Sequence, residues 1–285
     1  MPGPPGYRGL VSDTRSPDQA GQPADPSDVP ALADVRPDLA GLSDEEVVEE
    51  IQHEHADVTG GWLRPALFGA MDGLVSNVAL IAGVAGGTAA SSSGDASTAV
   101  VLAGLAGLAA GAFSMAVGEY NSVASQSEAA EFEVAKERRE ITRNGAGETA
   151  ELAAMYAAKG IDEDLAMQMA VQVHHDLDNA VAVHAKEEFG IDPDDLASPL
   201  LAGGSSFVAF ALGALVPLVP YFLGATTILP GLLLTMVALF ACGALVTQVT
   251  VRSWWYGGAR MTILGAAAAA LTYGFGSLVG GAGLG

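Results

Sequence analysis

The stretch Phe113–Glu140, FSMAVGEYNSVASQSEAAEFEVAKERRE, changes character along its length. It opens as the end of an apolar, glycine-rich segment and closes rich in glutamate. Between the two halves there is no proline, and Gly118 is the only glycine. Those are the residues that most often stop a helix. The stretch therefore reads as one long helix that leaves a membrane and carries carboxylates into the cytosol.

Outward from it, charge and apolar surface separate along the chain. Of 285 residues half are hydrophobic and mean hydropathy is +0.36, yet the net charge is −21. Residues 1–60 hold 13 acids against three arginines, and residues 126–196 hold 17 acids against six Lys or Arg. From Ala197 to Gly285 there is no Asp or Glu at all. Such acidity excludes a nucleic-acid binder, which needs cationic surface, and suits attraction of metal cations. The lone Cys242 rules out a disulfide framework or thiolate cluster.

Residues 1–60 carry eight of the 14 prolines and read as a disordered acidic tail without the apolar core of a signal peptide. Ser43-Asp44-Glu45-Glu46 can cap a short helix there, and His53 and His55 form an H-x-H run. Five apolar segments follow, near 65–90, 98–120, 199–223, 228–251 and 259–279, each long enough for a hydrocarbon core of about 30 Å. Pro217 and Pro220 must kink the third. The expected architecture is an all-α membrane protein: spans 1 and 2 over residues 61–125, and spans 3 to 5 over residues 197–285. Between them, residues 126–196 form a three-helix acidic cytosolic insertion that binds metal. One of its helices starts at the break Asn144–Gly147 and closes at Gly160, and the next runs from Asp162 to Phe189.

All 12 Lys and Arg fall before span 1, between spans 2 and 3, or from the end of span 4 to the first turn of span 5, where Arg260 stands. The positive-inside rule then puts the N-terminus and the acidic unit in the cytosol and the C-terminus opposite.

Ionisable residues within spans are functional candidates, and two stand out, Asp72 and Glu119. Ser76 lies one turn from Asp72 on the same face, with Asn77 beside it, and Met115 lies one turn before Glu119. Thioether with carboxylate suits a borderline transition metal better than Ca2+ or Mg2+. In the acidic unit Glu137 and Glu140 share a helical face, as do Glu148 and Glu151. A turn between them can gather four carboxylates, and His184 with Glu188 can add to the set. Gly69/Gly73 and Gly83/Gly87 have the small-xxx-small spacing of close helix contacts in lipid. No phosphate-binding loop is present, so transport would draw on a gradient, one of protons with Asp72 or Glu119 as the exchangeable carboxylates.

Three segments, DGLVSNVALIAGVAGG (Asp72–Gly87), GLAGLAAGAFSMAVGEYNSVASQSE (Gly104–Glu128) and ALGALVPLVPYF (Ala211–Phe222), resemble the vacuolar iron transporter family. The resemblance covers residues 62–285. It implies a homodimer that moves Fe2+, often also Mn2+, out of the cytosol in exchange for protons. It maps Asp72 and Met115 onto the transport path, and Glu137, Glu140, Glu148, Glu151, His184 and Glu188 onto a cytosolic metal site. Two departures are evident: His184 and Ala185 stand where plant-type members place methionines, and Gly107 where they carry a glutamate. The lack of organelle signals points to a bacterial plasma membrane.

A membrane-anchored metal sensor or buffer is the second reading, and it leaves Asp72 and Met115 without purpose in the bilayer. An intramembrane di-iron enzyme would need histidines within the spans, where there are none.

Overall fold

The computed structural model describes residues 61–90, 96–247 and 252–282. The acidic tail with its Ser43–Glu46 cap, His53 and His55 lie outside the described residues, as do most of the first loop and the expected end of span 4. The described residues form helices α1 (Leu63–Ala90), α2 (Ala96–Ala158), α3 (Glu163–Val173), α4 (Leu177–Phe189) and α5 (Pro199–Leu215). After a 3-10 turn, Val216–Leu218, come α6 (Val219–Phe222), α7 (Leu229–Val246) and α8 (Trp254–Gly281). Five segments are long and apolar enough to cross a membrane: α1, α2, α5 through α6, α7 and α8. The protein is an all-helical membrane protein with five spans. Their outer surface is oily, with Leu200, Leu212, Val237, Ile263, Leu271 and Phe275 all exposed.

The expected break at Asn144–Gly147 is a single non-helical residue. Asn144 leaves the helical region (φ −143, ψ 52), and its Oδ1 accepts a hydrogen bond from Gly147 N at 3.3 Å. It thereby caps the piece that follows, as Asn does at a helix start.

The expectation of one helix from Asp162 to Phe189 is corrected. Two helices occupy that range, because Asp176 adopts an extended conformation and accepts from Asn179 N at 2.8 Å. The Asn179 side chain in turn donates to Val173 O, which closes α3. Side chains that offer the backbone a substitute partner end helices in this way. Helix α4 ends at Gly190, whose left-handed φ of 67° suits glycine.

The chain divides into two compact units. Ala150–Ala170 belongs to one: there α2 turns at Gly160 (φ 93°), and Asp162 caps α3 through Asp164 N. Ala56–Thr149 with Val171–Gly285 makes the other. In this second unit α1 is the central helix, packed mainly on α5 and α8. Its two glycine pairs serve different partners. A Cβ on Gly73 would reach to 2.8 Å from Ala214 N of α5, while Gly87 faces Gly280 of α8, where a Cβ would come within 2.9 Å of Gly87 backbone. Missing side chains let backbones touch, which is how helices gain dispersion contacts where lipid offers no hydrophobic drive.

Buried apolar clusters fill the rest: Ile81, Val100, Leu218 and Tyr221 toward one end, and Ala112, Phe210 and Ala214 beside α2. Pro217 and Pro220 bend the third span through the 3-10 turn, as their missing donors require. Trp254 and Trp255 stand exposed at the start of α8, and Arg252 and Arg260 both lie over the Tyr256 ring, at 6.0 and 5.9 Å.

Candidate functional site

Helices α1, α2 and α5 line an open cavity of about 380 Å³. Asp72, Ser76 and Asn77 line it from α1, Met115 and Glu119 from α2, and Phe210 from α5. All five residues singled out in the sequence for a path through the membrane thus border one space. Ser76 Oγ donates to Asp72 Oδ1 at 2.5 Å, the i to i+4 contact that a shared helical face provides. Asn77 is 2% exposed; its Nδ2 donates to Ala214 O of α5. At Gly107 and Gly111 the α2 wall carries no side chain, since these glycines face Leu80 and the Phe210 ring so closely that side chains there would displace them. Carboxylate, hydroxyl, amide and thioether are donor types that a divalent transition cation can take. Gly107, Gly111, Leu80 and Phe210 were not expected as lining residues. Nothing in local sequence marks Phe210, because only the crossing of α5 over α2 brings it there.

Further along α2 lies a second constellation. Eighteen residues separate Glu119 from Glu137, a rise of about 27 Å along a helix. Ligand atoms of Glu137, His184 and Glu188 all lie within 4.8 Å of one another. His184 Nδ1 is hydrogen-bonded to Glu188 Oε1 at 2.8 Å and stands 3.1 Å from Glu137 Oε1. His184 and Glu137 are both buried, and Glu137 Oε1 and His184 Nε2 make no hydrogen bond. The triad sits beside an apolar contact of Ile141 with Ala180 and Val181, which clamps α4 to α2. Arg138 with Asp178, 2.6 Å apart, adds an exposed ion pair across the same two helices.

Burial pushes the Glu137 carboxyl up to about 7 from 4.5, and the Glu188 carboxylate adds to the rise; His184 opposes it, and Glu148 and Glu140 reinforce it. Crowded carboxylates with so little counter-charge disfavour their own ionisation. A divalent cation would reverse that preference, and an imidazole flanked by two carboxylates supplies ligands for one.

The other expected ligands are placed differently. Glu140 is exposed, Glu148 half-buried, and Glu151 exposed in the unit of Ala150–Ala170. The His174 ring packs edge-on against His184 with centroids 5.1 Å apart, a contact absent from the sequence reading.

The model of the VIT family matches residues 63–277. The chain belongs to the VIT family. It is 36% identical over 246 residues to a protein of Acanthamoeba castellanii named vacuolar iron transporter, covering 85% of this chain and 87% of that protein. A Eucalyptus grandis protein named vacuolar iron transporter 1 is 30% identical over 232 residues, 80% of this chain and 91% of its own. A third, vacuolar iron transporter 2 of Oryza sativa subsp. japonica, is 27% identical over 244 residues, 84% and 97% of the two chains. The VIT match runs from the start of α1 to near the end of α8, so it takes in both the cavity and the triad.

Proposed function

We propose that this VIT family member transports Fe2+, and also Mn2+, out of the cytosol in exchange for protons, as a homodimer in a bacterial plasma membrane. The observation that carries the reading is the cavity in which Asp72, Ser76, Asn77, Met115 and Glu119 meet among apolar spans. A carboxylate at membrane depth costs about 2.5–3.5 kcal/mol by insertion scales and is kept for a purpose. The names of the relatives support iron as cargo.

In this mechanism the acidic unit gathers the cation. Glu137, His184 and Glu188 bind it, with Glu140, Glu148 and Glu151 raising its local concentration. Asp72 and Met115 then take it at membrane depth, and Asp72 and Glu119 carry protons the other way. Asp72 and Ser76 are exposed on the surface of the single chain, where lipid would be a poor neighbour for a carboxylate. A second copy facing α1 would cover them, which supports the dimer. The cations of Arg64, Arg252 and Arg260, with Trp254 and Trp255 beside them, support a cytosolic face at the start of α1 and α8.

The test is metal flux in proteoliposomes, with anaerobic Fe2+ and separately Mn2+, under an imposed pH gradient. Gradient-dependent flux that Asp72→Ala abolishes, while metal binding outside the bilayer persists, is the expected result. Binding without flux in correctly inserted protein would instead establish a membrane-anchored metal buffer.

A further inference from the structure

The amide of Asn77 is only half bonded. Its Nδ2 is committed to Ala214 O, and that commitment fixes the other end, because an amide oxygen cannot take the place of a donor facing a carbonyl. Oδ1 is shut off from solvent and has no hydrogen-bond partner. It points across to α2 at Gly107, where a Cβ would stand 3.1 Å from it. An amide oxygen buried without a hydrogen bond is destabilising relative to a bonded one, and such groups call for a specific explanation.

We propose that Asn77 Oδ1 is a neutral oxygen ligand of the transported cation, taken up after Asp72. The proposal rests on the transport reading above. Asn77 follows Asp72 by five residues, about 7.5 Å along the helix axis, and lines the same cavity. Leu80, one turn on, lines both this cavity and a groove of about 540 Å³ that α1 and α8 form past Gly83 and Thr88. Asn77 therefore lies one turn before the residue that the two spaces share. A divalent ion stripped of water accepts a carbonyl-type oxygen readily. An uncharged ligand also holds the ion less tightly than a carboxylate, as conduction through successive sites requires. The bland alternative is that the amide only ties α1 to α5.

Flux of Mn2+ and Cd2+ into proteoliposomes separates the two, using wild type, Asn77→Ala and Asn77→Cys with insertion and metal binding outside the bilayer checked for each. Expected are a tenfold or greater loss of Mn2+ flux in Asn77→Ala and a tenfold or greater rise in the Cd2+ to Mn2+ ratio in Asn77→Cys, since sulfur favours the softer ion. Equal losses of both metals with an unchanged ratio would show a tie between helices and overturn the proposal. So would wild-type flux in Asn77→Ala. Should the Asn77 variants fail to insert, Gly107→Ala is made in a Leu80→Ala background, because its Cβ would meet Leu80 before Oδ1; Mn2+ flux slower than in Leu80→Ala alone is expected, and equal flux would overturn the proposal. Absence of flux in wild type removes the transport reading itself, and this inference with it, whereas the outcomes above leave that reading standing.

Discussion

His184 Nδ1 stands 3.1 Å from Glu137 Oε1, with both side chains closed off from solvent. One residue comes from the helix that leaves the spans and the other from α4, 47 positions later by their numbers. A second carboxylate, Glu188, is hydrogen-bonded to the same nitrogen. The arrangement gathers negative charge in a dry place, and its properties can be tested without transport.

Ionisation of Glu137 makes the metal-free protein less stable as pH rises from 4.5 to about 7. Glu137 titrates near 7 in the folded chain against 4.5 in the unfolded one. Between those values the folded state binds the extra proton, so stability falls from pH 4.5 up to pH 7. A shift of that size corresponds to about 3 kcal/mol. Thermal unfolding in EDTA should show the melting temperature dropping across this window from this group, and a flat or rising profile assigned to Glu137 by comparison with Glu137→Gln would contradict it.

Glu137→Gln should separate stability from binding. Without a carboxylate to ionise, the metal-free variant is expected to melt several degrees above wild type at pH 8, given about 2–4 °C per kcal/mol for a chain of this size. The stabilisation by Mn2+ should shrink at the same time, since one ligand is gone. A variant that melts lower in EDTA yet keeps the full Mn2+ shift would show Glu137 to be structural.

Exposed glutamates should matter less than buried ones. Glu188→Gln and His184→Ala are expected to weaken Mn2+ binding by tenfold or more, and Glu140→Gln or Glu151→Gln by only a few fold. Isothermal titration at fixed pH compares them. Equal losses at all four positions would favour a wider four-glutamate site over the compact triad.

Glycines at close crossings should be intolerant. Gly73→Val places side-chain atoms where Phe210 and Ala214 backbone already stand, whereas Gly204→Ala enters open space. Overpacking costs about 1–3 kcal/mol or more, and removing a helix glycine gains up to about 1 kcal/mol. Yield of monodisperse protein and its melting temperature should fall for the first and hold or rise for the second.

The sequence by itself determined the five spans, the kink at Pro217 and Pro220, and the break at Asn144. These follow from local composition: long apolar runs, missing donors, and a side chain able to cap its own neighbours. It also marked Asp72, Met115 and Glu119, because charge and sulfur in apolar segments need no partner to be noticed. The split at Asp176 escaped it, since an aspartate within a polar helix pattern looks like surface until its bond to Asn179 is seen.

Only the tertiary structure decided that Glu137, rather than the Glu137–Glu140 pair, meets His184 and Glu188. Spacing along one helix says which residues share a face, but the angle and register at which α4 lies on α2 decide which of them is buried. The same holds for Phe210 and Gly107 around the cavity. Their roles come from helix crossings between segments far apart in the chain, and those are set by backbone contact at glycines such as Gly73.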